Sequence, residues 1–399
     1  MADANVPWRV AVVAGEHSGD RLGADLIKAL RSRTPRAITF MGVGGPAMEA
    51  AGVRSLFPLD EIAVMGPVAI AKRLPLLLRR GRESVAAVLA FEPDVLVLID
   101  APEFTHRVAQ RVRRAAPQIA TVKYVSPSVW AWRPGRAKAM RPYIDHLLAL
   151  LPFEPDAHAR LGGPACTYVG HPLSTQVDRL RAIDPAPLAS RLGLRDEATP
   201  ILVLPGSRMS EASRLLAPFG ETIARLSETH GPLEVLIPAV PRLREIIAHE
   251  TASWPARAHL LEGDDDKFAS FRLAQAALAA SGTVTLELAA AGTPMVVAYK
   301  VERWTGPIFR WLITAPSAVL ANLVLGRNAF PEFIQEDCTP AKLTPALAAL
   351  LNPGDALDAQ RAALDEIPDR LKLPDGANPS ATAADVVLDM LKRRSGGVA

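Results

Sequence analysis

Two loops in the second half of the chain hold residues suited to binding a nucleotide diphosphate. Pro205-Gly206-Ser207-Arg208 follows the apolar run Ile201 to Leu204 and leads into a helical pattern that can begin near Ser210, a good helix-capping residue type. Gly206 lets the backbone approach a ligand closely, the free N–H groups of a helix start (Ser207 among them) point outward, and Arg208 offers a planar fork to phosphate oxygens. A tight turn carrying a surface arginine would look the same, so the loop needs a second signal. Ser281-Gly282-Thr283 supplies it, coming after the apolar run Ala276 to Ala280 and before a helical stretch, Val284 to Ala290, closed by Gly292-Thr293-Pro294. Glu287 lies four residues beyond Thr283, on the same helical face one turn deeper, where a carboxylate can accept hydrogen bonds from both hydroxyls of a ribose. An exposed helix glutamate is the plainer alternative, but Ala289 and Ala290 make the helix read as buried, so Glu287 needs a partner. No Gly-Lys-Ser/Thr phosphate loop occurs, which disfavours an ATPase.

The first half holds the candidate bases. Asp100 ends the apolar run Asp94 to Asp100, where partial desolvation at the rim of a ligand site favours proton uptake by a carboxylate. The alternative is a loop cap accepting backbone N–H groups. Glu16 and His17, in the glycine-bracketed turn Gly15 to Asp20, are rivals, His17 because imidazole titrates in the useful range. Asp20 reads equally as an acid at a helix start. Trp130, Trp132, Arg133 and Arg136 interleave aromatic and basic residues as a single-strand nucleic-acid platform does. The balance of 45 Lys and Arg against 42 Asp and Glu, a formal +3, gives no support to such a partner, and a loop shaping a ligand or packing on a neighbour is the better reading.

These residues need elements to hold them. Arg9 to Ala14 is a short apolar run followed by Gly15, then Leu22, Leu26 and Leu30 recur every fourth residue, which gives strand, loop and helix. The pattern returns at Asp94 to Asp100, Thr121 to Val125, Ile201 to Leu204, Leu233 to Pro238 and Met295 to Tyr299. Strands apolar on both faces and separated by helices imply parallel sheets covered on both sides, with ligands at the carboxyl ends of the strands. A chain of 399 residues exceeds one ordinary core, and Pro172, Pro185, Pro187 and Pro200 precede a fresh strand start, so two doubly wound domains are expected. We place the boundaries at 1–175, 176–355 and a helical tail, 356–399, packing back on the first domain with a frayed basic end from Lys392. The amino terminus has no signal-peptide pattern, and no uncharged apolar run reaches the roughly 18 residues a bilayer span needs, the nearest being Trp311 to Gly326. Cys166 and Cys338 have neither disulfide-scaffold nor zinc spacing, so a cytoplasmic protein without a metal is expected.

The carboxyl-half motifs together resemble the donor domain of the GT-B glycosyltransferases, which bind UDP-sugars in this way. The amino half narrows the resemblance. Gly42-Val43-Gly44-Gly45-Pro46, Met65-Gly66, Ile99 to Phe104, Tyr124 to Arg133, Leu151-Pro152-Phe153-Glu154 and Val169-Gly170-His171-Pro172, with Asn322 to Gln335 in the other half, are similar to the lipid-A-disaccharide synthase family (glycosyltransferase family 19) up to about Thr339. The resemblance implies a GT-B fold, two Rossmann-like domains facing a cleft. It further implies inverting transfer from UDP-2,3-diacylglucosamine to the 6-hydroxyl of 2,3-diacylglucosamine 1-phosphate, a step of lipopolysaccharide biosynthesis, with no cofactor. It favours Asp100 as base and adds Asn322, Glu332 and Gln335 as polar groups facing the donor sugar, with loop hydrogen bonding as their alternative. Arg208 and Lys300 are the positive groups on hand for the departing UDP.

A lipid substrate also gives meaning to Ile62 to Arg80. Apolar Val64, Met65, Val68, Leu74 and Leu77, edged by cations including Arg79 and Arg80, suit a helix lying on an anionic membrane, here the cytoplasmic face of the inner membrane. A core helix with a basic end is the alternative. A homodimer is compatible with the sequence. Two other functions keep the carboxyl-half motifs: another GT-B UDP-N-acetylglucosamine transferase or epimerase, and a non-catalytic nucleotide-binding membrane scaffold in which Asp100 is dispensable.

Overall fold

Within β1 (Trp8–Ala14), alternate residues from Val10 to Ala14 bury on opposite faces of one sheet, which is why that stretch is apolar without a break. Val10, Val12 and Ala14 enter one core with Leu26, Ile27 and Leu30 of the helix His17–Ser32, while Ala11 and Val13 enter another with Val108 and Val112 of the helix Pro102–Ala115. The computed structural model describes residues 6–64, 67–301 and 315–396, and Met65 therefore lies outside the described residues. Chain contacts divide it into two units, one made of residues up to Pro172 with those from Leu373 onward, the other Leu173–Lys372.

In the first unit β1 is joined by β2 (Ile38–Val43), β3 (Val95–Ile99), β4 (Ala120–Tyr124), β5 (His146–Ala149) and β6 (Ala165–Tyr168), all parallel, in the order β2-β1-β3-β4-β5-β6. The second unit holds β7 (Thr199–Leu204), β8 (Leu233–Pro238), β9 (Arg257–Leu261), β10 (Ala276–Ala280), β11 (Met295–Tyr299) and β12 (Glu332–Ile334), parallel and in the order β12-β11-β10-β7-β8-β9. Both orders reverse direction once, the first between β1 and β3 and the second between β7 and β10. Such a reversal leaves a crevice beyond the strand ends, since the connections leave toward opposite faces.

Residues after 354 form two helices. Asp355–Leu371 stays with the second unit, where Gln360 bonds both N and O of Met295 and Arg327 meets Glu366. Pro379–Gly396 closes the first, burying Ala383, Ala384, Val387, Leu388 and Leu391 against the β1 side of its sheet. The helix runs to Gly396, and Arg394 donates to the carbonyl of Asp94 at 2.7 Å.

Candidate active site at the strand switch points

The β1 and β3 ends of the first unit bring together the turn after Gly15 and the turn at Asp100. Asp100 and Ala101 both take the left-handed conformation, with φ of 53° and 38°, before Pro102 starts a helix. Such residues cost about 1–3 kcal/mol each, so neighbours must hold them. The Gly15 N–H donates to Ile99 O at 3.2 Å, and a Cβ on Gly15 would stand 2.1 Å from that of Ala101, so only glycine fits. Thr105 Oγ1 donates to the Asp100 carbonyl at 2.8 Å. The half-buried carboxylate accepts from Ser18 Oγ at 2.9 Å and from its own neighbour's N–H, that of Ala101, at 2.9 Å. Asp100 thus makes the local backbone bond that the capping alternative foresaw and also presents a fixed carboxylate at the switch point.

The rival bases fare differently. His17 is exposed and pairs with Asp60 at 3.0 Å, and Glu16 is the half-buried N-cap position of the same helix, without a side-chain capping bond. Asp20 is buried and accepts from the N–H groups of Gly45, Ala47 and Met48 at 2.7, 2.9 and 3.0 Å. It therefore caps the distant helix Pro46–Ala50. Trp130 donates Nε1 to the buried Glu154 at 3.1 Å and packs edge-on against Phe153, so this tryptophan anchors its loop. Trp132 is 39% exposed, with the guanidinium groups of Arg133 and Arg136 at 5.4 and 5.1 Å from its ring.

In the second unit β7 leads through Pro205 to Arg208 into the helix Met209–His230. Arg208, not Ser210, is its N-cap residue. Gly206 has φ 103° and lies against Glu211, whose Cβ and Oε2 would both be 2.7 Å from an added Cβ. Arg208 is exposed and bonds Glu211 at 2.9 Å, and Arg242 steadies the loop by donating to the Ser207 carbonyl at 2.8 Å. Next to β7, β10 ends in Ser281, half-buried Gly282 and exposed Thr283 before the helix Val284–Ala291. Glu287 is a turn inside that helix, and its partner is Lys267 at 2.5 Å, a cation that also lies over the rings of Phe268 and Phe271.

Ser281, Asn322 and Glu332 converge on the segment Ser317–Val319. Ser281 Oγ donates to Ala318 O at 2.6 Å, while Glu332 Oε2 accepts from Ser317 Oγ at 3.0 Å and Ala318 N at 2.8 Å. Asn322, 1% exposed, donates to Ser317 Oγ and Phe330 O and accepts from the N–H groups of Ala329 and Phe330. Its amide is thus fully engaged by the loop, as the alternative reading had it. Gln335, at φ 55°, accepts from Val301 N at 3.1 Å, beside half-buried Lys300. Among the described residues no group of three His, Cys, Asp or Glu is placed to hold a metal ion.

The family model for lipid-A-disaccharide synthetase matches residues 10–376. The chain belongs to this family. A lipid-A-disaccharide synthase of Rhodopseudomonas palustris strain HaA2 is 50% identical over 390 residues, covering 96% of this chain and 97% of that one. One from Nitrobacter winogradskyi is 50% identical over 395 residues, covering 98% of each. Solved structures are similar at much lower identity. The UDP-GlcNAc 2-epimerase of Neisseria meningitidis bound to UDP-GlcNAc has a TM-score of 0.59 at 14% identity, covering 96% of this chain and all of that one. MurG of Acinetobacter baumannii has 0.56 at 14% with the same coverage. These two establish the fold, two Rossmann-like domains of the GT-B class. With the family comes the activity class: a glycosyltransferase of lipid A disaccharide formation in lipopolysaccharide biosynthesis.

Within the span matched to the lipid-A-disaccharide synthetases, sequence reasoning missed Lys123, Lys267 and Ser317. Each acts through a partner 15 or more residues away, which no local pattern announces. The basic-apolar stretch is mixed. The helix Pro67–Phe91 leaves Leu74 40% exposed and Arg79 exposed, whereas Val64 is half-buried and Leu77 packs on the core. Arg80 faces inward, bonded to Glu61 and Glu83 at 2.5 Å each and lying over Phe57, so it is an intramolecular anchor and not a free cation. The Val68 side chain is outside the described residues. No described helix is long and apolar enough to cross a membrane.

Proposed function

We propose that the chain joins UDP-2,3-diacylglucosamine to the 6-hydroxyl of 2,3-diacylglucosamine 1-phosphate with inversion, and that Asp100 is the general base. The observation that carries this reading is the Asp100 carboxylate, fixed by Ser18 and Ala101 on a strained turn at the β1/β3 switch point, where α/β sheets take ligands. In the reaction Asp100 removes the hydroxyl proton as that oxygen attacks the anomeric carbon. The bond from this carbon to the UDP phosphate oxygen breaks on the opposite face, giving a β linkage and UDP.

The second unit supplies what a departing diphosphate needs. The helix start behind Gly206 to Arg208 and the one behind Ser281 to Thr283 offer N–H groups, and exposed Arg208 adds positive charge. Glu287 receives the ribose hydroxyls, with Lys267 orienting its carboxylate. Glu332 and Gln335 shape the sugar end from their loop, and Asn322 supports it from beneath. The acyl chains of both substrates keep the reaction at a bilayer, where Leu74 and Arg79 serve as contacts on the cytoplasmic face. The test is direct: purified protein with the two diacyl sugars should yield a disaccharide 1-phosphate and UDP by mass spectrometry. Free diacylglucosamine without disaccharide would refute the transfer.

A further inference from the structure

Beneath the Asp100 turn lies a buried cation to which the transfer reaction gives no role. Lys123, in β4, has no exposed surface. Its Nζ donates to the main-chain carbonyl of Asp100 and, at 3.2 Å, to Thr105 Oγ1 on the helix that Asp100 precedes. The carboxylates facing it are Asp100 and Glu16, from the β3 and β1 ends, and the other titratable group near it is His106 on the helix Pro102–Ala115. Burial pushes the Lys123 pKa down to about 7, against the pull of those two carboxylates. An apolar residue would fill a central strand position at no desolvation cost, so an ammonium held here by neutral oxygens calls for another explanation.

We propose that Lys123 is a positioning residue for the transfer reaction: it clamps the Asp100 carbonyl from below and so holds the turn that carries the base. This rests on Asp100 being the base. The clamp works with Gly15 above and Thr105 beside it to keep two consecutive left-handed residues from relaxing, which would swing the carboxylate away.

Lys123→Met removes donor and charge together, while Lys123→Gln keeps an amide donor without charge. For Lys123→Met we expect kcat to fall about 10²-fold with the donor KM within about twofold, the size of effect a misplaced catalytic group produces. Lys123→Gln should recover part of kcat. A folded Lys123→Met with wild-type kcat overturns the proposal, because a purely structural lysine would lower the melting temperature and leave kcat alone. If the Met variant does not fold, the Gln variant decides: a lowered kcat with the donor KM unchanged supports the role, and a wild-type kcat overturns it. Asp100→Asn separates the two readings. Turnover retained in that variant removes the base and this inference with it, whereas turnover lost there alongside wild-type Lys123 variants removes only this inference.

Discussion

The two switch points are built from the same strand-turn-helix parts and used in opposite ways. At β1/β3 the chain concentrates on one group: two left-handed residues, a glycine that admits no Cβ, and a buried lysine all fix the Asp100 turn. At β7/β10 no carboxylate is singled out by strain. There the strand ends carry two helix starts, an exposed arginine and a glutamate paired to Lys267, and the proposed diphosphate role asks for such spread-out contacts. A base must be held at one point, because proton transfer fails over small displacements. A diphosphate offers many oxygens, so its site can tolerate exposure and loss of any single donor.

The sharpest way to break the contrast is Asp100→Asn, which keeps the local hydrogen bonding and a residue type at ease with positive φ. Turnover should drop about 10²–10⁴-fold, the range of a lost general base, with UDP-sugar affinity unchanged by calorimetry. A variant within about threefold of wild type would make the β1/β3 turn merely structural. Next come the two glycines. Gly15→Ala drives a methyl into Ala101 and should reduce kcat about 10²-fold by turning the base. Gly206→Ala meets Glu211 at φ 103° and should act chiefly on the UDP-sugar KM, the difference being read from parallel steady-state kinetics. Equal effects on kcat from both would erase the distinction.

Much of this arrangement was legible from short-range pattern. Strand runs, glycine turns and the helix holding Glu287 are local matters of periodicity and steric permission, and β8, β10 and β11 fall where the apolar runs put them. Long-range partnership was not legible. Asp20 looks like an acid of its own helix, yet its acceptors serve backbone 25 to 28 residues on. Lys123 reads as an ordinary interruption of the strand at Thr121 to Val125, since nothing nearby in sequence states that Asp100 will stand above it. Of the two carboxylates that hold Arg80, Glu83 lies on the same helix three residues on, but Glu61 is 19 residues earlier, where no helical spacing points to it. Sequence spacing gives faces of an element, while the identity of what covers a face is settled by topology.

Glu287 tests the donor side of the contrast at a smaller scale. Glu287→Gln should raise the UDP-sugar KM about tenfold, equivalent to one charge-assisted hydrogen bond, with kcat nearly unchanged. A deoxyribose donor analogue should show little further loss in this variant if the carboxylate serves the ribose.

The smallest expected effect concerns stability and sets one buried glutamate of each unit against the other. Glu154 is pushed up from 4.5 to about 7 by burial, which its neutral donors Leu151 N, Trp130 Nε1 and Leu150 N only partly offset. Glu234 is buried too, which opposes its charge, but hydrogen bonds from His259 and Arg195 override this and hold its carboxyl below 4.5. For Glu154 the folded protein binds more protons than the unfolded chain between pH 4.5 and about 7, so stability falls as pH climbs through that window. For Glu234 the unfolded chain binds more protons, so its contribution is complete above pH 4.5 and is lost as pH falls below it. Melting curves across pH should therefore flatten between about 4.5 and 7 in Glu154→Gln, and on the acid side of 4.5 in Glu234→Gln. The same pH dependence in both variants would mean that neutral donors and cations stabilise a buried carboxylate alike, contrary to the charge-assisted bonds that distinguish Glu234.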